Sequence, residues 1–396
     1  MIKQAVILVG GLGTRLGALT SETPKPLLPV AGRPFLTVLL DELARQHIGE
    51  ILLLAGFRSE KIEALAKDRP GLTVMAEPAP LGTAGALKHA IDALADRFFL
   101  LNGDSLFDIN LWDLALAYRG AATLALRQNP DVSRYGPAEL EGDRITAFSP
   151  RSEVGGAGLI NGGVGVFSKS VLDLVPSQRP WSLEQDVYPA LARSDRLYGR
   201  VYDRPFLDIG VPDDFARAQT WVPQVLRRGA VIFDRDGVLN KDVGYAHRPD
   251  QIVWIEGAIA AIKAINDSGL LALIATNQSG VAHGYYAEAD VVALHAWMNA
   301  SLMAQGAHID GFAYSPYHPE AKLDAYRRPS DCRKPGPGMV LHLIEKFNLD
   351  PARCVMIGDR NSDVAAAEAA GIEGVLFEGG DLYSRLQPWI GRLSAG

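Results

Sequence analysis

Two groups of residues in this chain have the types and spacing for phosphate chemistry. The first starts at a glycine-rich turn of Gly10, Gly11, Gly13 and Thr14, with Arg15 next and Lys25 between Pro24 and Pro26. Glycines let backbone N–H groups close around a phosphate chain. Arg15 and Lys25 add fixed positive charge where negative charge develops. The second starts at Asp234 and Asp236, two apart, directly after the apolar run 231–233. Thr276, Asn277, Arg333, Lys334 and Asp359 follow it along the chain. A carboxylate pair at a strand end suits nucleophilic attack with acid–base assistance.

The elements around these residues alternate. Strands are expected at 5–9, 50–55, 72–77 and 98–102, with helices at 34–46, 59–67 (opening at a Ser59 cap) and 83–94. That rhythm predicts a parallel sheet with helices on both faces, its ligands beyond the carboxyl ends of the strands. Short strands between 121 and 167 predict a mixed or antiparallel extension over the site, and 181–191 a helix. After 222–228 the rhythm restarts, with strands at 230–233, 270–275, 311–314, 354–357 and a last one at 374–377. The expected fold is therefore α/β, as two Rossmann-like three-layer domains over 1–224 and 225–396. A chain of 396 residues is too long for one ordinary core, which agrees.

Composition narrows the partners. Hydrophobic residues make up 48% and the net charge is −7, so nucleic acid is not expected as a partner, and small anions held by local Arg and Lys are. Two cysteines, Cys332 and Cys354, exclude a disulfide framework and fit a reducing compartment. No charged leader and no apolar run of spanning length stands out, so neither a signal peptide nor a membrane partner is expected, and the cytoplasm is the expected location. The oligomeric state is not readable.

The first cluster, read with Leu81-Gly82-Thr83-Ala84-Gly85, Asn102-Gly103-Asp104, Asn161-Gly162-Gly163, Leu183-Glu184 and Leu207-Asp208, resembles the sugar-1-phosphate nucleotidyltransferases. The resemblance implies attack by a sugar phosphate on a nucleoside triphosphate, with loss of pyrophosphate. It implies that Asp104 and Asp208 hold Mg²⁺, that Arg15 grips the leaving phosphates and that Lys25 grips the reacting one. Gly10, Gly11, Gly13, Thr14 and Asn102 would contact the nucleotide. Gly82 would let the backbone approach the base. Asn161 and Glu184 would meet sugar hydroxyls. The family's Glu-Lys pair before the Asn-Gly-Gly strand is replaced by Pro150-Arg151, so Arg151 would carry the sugar-phosphate charge. Simpler readings stay open: Asp208 as a surface carboxylate, and Glu184 as an acid favoured by a helix N-terminus.

The second cluster, completed by Gly358-Asp359-Arg360-Asn361-Ser362-Asp363, resembles the haloacid-dehalogenase-like phosphatases. Asp234 would attack phosphorus and Asp236 would act as acid, then base. Asp234, Asp359 and the Asp236 backbone carbonyl would ligate Mg²⁺. Thr276, Asn277 and Lys334 would hold the phosphoryl group, and Arg333 a remote phosphate or carboxylate. Asp363 would support the metal from behind or cap its helix. Local sequence narrows the likeness to heptose-bisphosphate and histidinol-phosphate phosphatases. Their loop binds zinc, but here Ser315, Tyr317 and Ser330 stand at three ligand positions and only Cys332 remains, so no zinc is expected.

Together the two resemblances imply consecutive steps. A heptose 1,7-bisphosphate loses its 7-phosphate, and the heptose 1-phosphate then receives a nucleotidyl group, with GTP the favoured donor. The alternative is a mannose- or N-acetylmuramate-type transferase fused to a phosphatase for another small phosphomonoester.

Overall fold

The computed structural model describes residues 1–11, 13–133, 135–149, 155–176 and 180–394. Two compact units divide the chain, Met1–Gln224 and Val225–Gly396.

The first unit is built on a nine-stranded sheet. From one edge its strands run Leu72–Ala76, Glu50–Ala55, Gln4–Leu8, Arg97–Asn102, Gly158–Ser168, Ala122–Asn129, Leu197–Val201, Arg144–Phe148 and Pro137–Glu141. The first four are mutually parallel, as the β-α rhythm requires. Gly158–Ser168 then pairs antiparallel with Arg97–Asn102, so the expected mixed extension continues the same sheet. Ala5, Val6 and Ile7 are fully buried, which is why this strand reads as a continuous apolar run.

Two helix expectations are corrected. Ser59 is not a cap: it is the first residue of Ser59–Ala66, preceded by Arg58 at φ 54°. The stretch expected as one helix at 181–191 divides into a wide π-type turn, Leu183–Val187, and the helix Tyr188–Arg193. Pro189 lacks an N–H, and its ring would clash with the Gln185 carbonyl in a regular α-helix; the wide turn removes that conflict.

The second unit holds a five-stranded parallel sheet in the order Gly311–Ser315, Leu271–Asn277, Ala230–Phe233, Cys354–Gly358, Glu373–Leu376. Val231, Ile232 and Phe233 are fully exchanged from water for core, each contributing roughly 1.5–3 kcal/mol. The helix Leu382–Ser394 was not expected from the sequence. It joins Ala258–Ser268 in one core through Leu382, Leu386 and Leu393, with Pro388 interrupting its pattern. Asp234 and Asp359 directly follow the central strands Ala230–Phe233 and Cys354–Gly358, and Thr276 and Asn277 end the central strand Leu271–Asn277, which brings distant segments to one end of the sheet.

Candidate active sites

In the first unit, Gln4–Leu8 delivers the glycine turn and Arg97–Asn102 delivers Asn102 and Asp104. Phe206–Asp208 pairs antiparallel with Ser105–Phe107, setting Asp208 opposite Ser105 and so beside Asp104. Lys25 lies in the short turn Lys25–Leu27 and is 7% exposed. Its Nζ donates to Asp104 Oδ2 at 2.5 Å and to Asp208 Oδ1 at 3.4 Å. The expected phosphate-gripping lysine is thus engaged by both expected metal carboxylates.

A cavity of about 320 Å³ opens here, lined by Gly11, Gly13, Thr14, Arg15, Lys25, Asn102, Asp104, Asn161 and Glu184. Gly10, Gly82 and Asp208 are not among its lining residues. Gly82 is explained otherwise: at φ 73° a Cβ there would lie 2.4 Å from the Trp181 carbonyl oxygen, so chain packing demands the glycine. Gly10 backs on Glu77 and Gly56 in the same way. Arg151 lies outside the described residues. Thr83, which stands in the 81–85 match without a role, also lines the cavity, as do Ser182 and Tyr188, which the sequence motifs did not include. Thr83 Oγ1 accepts from Leu183 N–H at 2.8 Å and ties the wide turn to the site. Glu77, also missed, accepts the Leu81 N–H at 2.9 Å, and burial pushes its carboxyl up.

In the second unit a cavity of about 360 Å³ is lined by Asp234, Asp236, Thr276, Asn277, Arg333 and Lys334 from the expected set, with Asp242, Tyr245, Gln278, Tyr286, Arg360 and Asp363 beside them. Lys334 is 3% exposed and its Nζ reaches Asp363 Oδ1 at 2.7 Å, the Ala275 carbonyl at 2.8 Å and Asp234 Oδ1 at 3.0 Å. Asp234, Asp359 and Asp363 each offer a carboxylate oxygen within 4.8 Å of the others. Burial pushes Asp234 up, with Lys334 pulling it down and Asp363 pushing it further up. Burial also raises Asp359, and its Oδ1 is buried without a hydrogen-bond partner. Three carboxylates against one ammonium, with an orphaned oxygen among them, fit a hard divalent cation.

Three expectations gain detail here. The Asp236 side chain is turned to Arg235, Asn240 and Gln278, which leaves only its backbone carbonyl for the expected metal role, and Asp363 joins Asp234 and Asp359 as the third carboxylate. Asn277 uses its amide on the Lys334 backbone, donating to the carbonyl and accepting from the N–H, both at 3.1 Å, so it positions Lys334. Asp363 pairs with Lys334 and also accepts the Arg360 N–H at 3.0 Å, so it both caps its helix and faces the site. Around the loop after Ser315, Tyr314 and Tyr326 donate to the two oxygens of Glu288 at 2.8 and 2.9 Å. Arg328 lies 4.1 Å over the Tyr317 ring, and Arg333 donates to the Tyr317 carbonyl.

Comparison with known proteins assigns both halves. The nucleotidyl transferase family matches residues 4–224, more than half the chain. The chain belongs to the nucleotidyl transferase family. Within this nucleotidyl transferase, residues 331–385 match the HAD-hydrolase-like family. A D-glycero-alpha-D-manno-heptose 1-phosphate guanylyltransferase of Aneurinibacillus thermoaerophilus is 34% identical over 223 residues, 54% of this chain and 96% of the relative. A D-glycero-beta-D-manno-heptose-1,7-bisphosphate 7-phosphatase of Rhodopseudomonas palustris is 49% identical over 156 residues, 39% of this chain and 87% of the relative. The crystal structure of HddC from Yersinia pseudotuberculosis covers 56% of this chain and all of its own, at 28% identity and a TM-score of 0.51. Among the described residues no helix of the nucleotidyl transferase is long and apolar enough to cross a membrane.

Proposed function

We propose that the chain is a bifunctional enzyme of nucleotide-activated heptose synthesis. The second unit removes the 7-phosphate of D-glycero-D-manno-heptose 1,7-bisphosphate, and the first transfers GMP from GTP to the resulting heptose 1-phosphate with release of pyrophosphate. The observation that carries this is one chain holding two cavities lined by phosphate-handling residues, each with relatives named for one of the two steps.

In the phosphatase reaction Thr276 and Lys334 hold the phosphoryl oxygens while Asp234 attacks phosphorus. The bond to the C7 oxygen breaks, Asp236 protonates that oxygen, and Asp236 then activates the water that cleaves the aspartyl-phosphate. Asp234, Asp359 and Asp363 would hold Mg²⁺, which neutralises charge on the transferred group. Arg333 takes the remote phosphate. In the transferase reaction Arg15 and the glycine-turn N–H groups hold the triphosphate and Lys25 the reacting phosphate, and Asp104 and Asp208 would hold Mg²⁺, whose charge would offset that of the phosphates. Asn161 and Glu184 meet the sugar. Guanine is supported by Glu77, a carboxylate beside the glycine turn that suits the base's donor edge.

The relatives' names differ in anomer, beta for the phosphatase and alpha for the transferase. Coupled steps must share one. The phosphatase cleaves at C7, far from the anomeric carbon, so the transferase decides, and the α-anomer is the substrate proposed. A nucleoside triphosphate substrate and two free thiols fit a cytoplasmic setting.

The experiment supplies α- and β-bisphosphates with Mg²⁺ and each nucleoside triphosphate in turn, following phosphate and pyrophosphate. Phosphate release followed by GTP-dependent pyrophosphate is expected with the α-anomer. Asp234→Asn abolishes phosphate release and leaves transfer to heptose 1-phosphate intact. Phosphate without any pyrophosphate refutes the coupled reading.

A further inference from the structure

At the second site one buried amide touches both halves of the phosphatase chemistry. Gln278 is 2% exposed, and its side chain makes four hydrogen bonds. Its Oε1 accepts from Arg235 Nη2 at 3.2 Å and from Tyr286 Oη at 2.8 Å. Its Nε2 donates to Asp236 Oδ2 at 3.2 Å and to Thr276 Oγ1 at 3.0 Å.

The orientation of this amide is decided by its neighbours. A guanidinium only donates, so the atom facing Arg235 must be the oxygen. Arg235 cannot turn away: it is fully buried, donates to the Ala246 carbonyl at 2.7 Å and grips Asp236 with Nε at 3.1 Å and Nη2 at 2.7 Å. The NH₂ group of Gln278 is therefore left with one hydrogen for each of its two acceptors.

Each hydrogen has a chemical consequence. Thr276 Oγ1 accepts from Gln278, so the hydroxyl's own hydrogen is free to point into the cavity at a phosphoryl oxygen. Asp236 Oδ2 is held from two sides, by Arg235 and Gln278, while Asn240 holds Oδ1 at 2.9 Å. The acid–base group cannot rotate without breaking these bonds. We infer that Gln278 is a positioning residue for phosphoryl transfer: it aims the Thr276 hydroxyl and fixes the Asp236 carboxylate through one amide whose orientation Arg235 dictates and whose oxygen Tyr286 also holds.

This rests on the phosphatase reading above. The test measures kcat and KM for phosphate release from the α-bisphosphate in the full chain, with pyrophosphate release from heptose 1-phosphate as an internal control. Gln278→Met keeps volume and removes all four bonds; kcat is expected to fall roughly 30-fold with KM within about two-fold, since orientation of an acid–base group acts on the chemical step. In an Asp236→Asn background the same change should cost no more than about three-fold, because half of what Gln278 positions is already lost. Tyr286→Phe frees one side of the amide without emptying the core, and is expected to lower kcat by roughly three- to ten-fold at constant KM. If Gln278→Met does not fold, Tyr286→Phe decides. An unchanged kcat, a rise in KM alone, or a full additive loss in the Asp236→Asn background overturns the inference. A wild-type chain that releases no phosphate overturns the phosphatase reading instead.

Discussion

Gly237→Ala puts a methyl group where Asp359 now sits. The glycine has φ 86°, and a Cβ would lie 2.4 Å from Asp359 Oδ2 and 2.7 Å from its Cγ. Two costs follow. A left-handed backbone with a Cβ costs roughly 1–2 kcal/mol. A carbon–oxygen contact relaxes near 3.4 Å, so the Asp359 carboxylate must retreat by roughly 1 Å. That displacement opens the cluster of Asp234, Asp359 and Asp363, and a misplacement of this size lowers a rate by about 100-fold. Gly371→Ala separates the two costs, because Gly371 has φ 77° and nothing within 4 Å of its Cβ position. Gly371→Ala should lower the phosphatase transition by roughly 3–6 °C in the full chain, and Gly237→Ala by at least as much. Only Gly237→Ala should lose Mg²⁺-dependent phosphate release, and its Mg²⁺ requirement should shift to higher concentration. Heptose 1-phosphate transfer stays normal in both. A Gly237→Ala chain that keeps phosphatase activity within about three-fold of wild type refutes the assignment of Asp359 to the cluster.

Other outcomes follow from the same geometry. Lys25→Met leaves Asp104 and Asp208 facing each other without their cation and should cost the first unit about 2–4 kcal/mol, with added Mg²⁺ recovering part of the melting temperature in the variant but not in wild type. Burial holds His295 at a pKa of about 3, so between that value and the unfolded value near 6.5 only the unfolded chain takes up its proton. Wild type should therefore lose up to about 1.4 kcal/mol per pH unit relative to His295→Phe as pH falls through that window, measured by urea unfolding at successive pH values. Glu77→Gln should weaken GTP relative to UTP by about 10- to 100-fold in kcat/KM; an unchanged ratio removes Glu77 from base selection.

The parts of the sites that sit at strand ends were legible in the sequence. Asp234, Thr276 and Asp359 were legible because each follows an apolar run, and a parallel sheet brings strand ends together. The same holds for the glycine turn and Asp104. What stayed hidden depends on partners from elsewhere in the chain. Asn277 looks like a phosphate ligand until Lys334, 57 residues on, occupies both ends of its amide. Gly82 looks like a ligand-facing glycine until the Trp181 backbone is seen against it. Gln278 stands in the Thr276-Asn277-Gln278 word, but its role is hidden there, as is that of Tyr286, since a buried amide is understood only by what surrounds it. The last helix escaped because Pro388 interrupts its period, although Leu382, Leu386 and Leu393 hold the core face.

The stretch after Ser315 is held by Glu288, which joins its Tyr326 to Tyr314 of the preceding strand, by Arg328 over Tyr317, and by Arg333 on the Tyr317 carbonyl. Each such contact is worth on the order of 1 kcal/mol, and although Glu288 and Tyr317 each take part in two of them, no single centre joins all four as an ion joins its ligands. A staple of this kind fails by degrees. Losing one ring or one guanidinium loosens a single point, so this rim of the phosphatase cavity can drift through single substitutions, each survivable, toward sugars of other length or configuration.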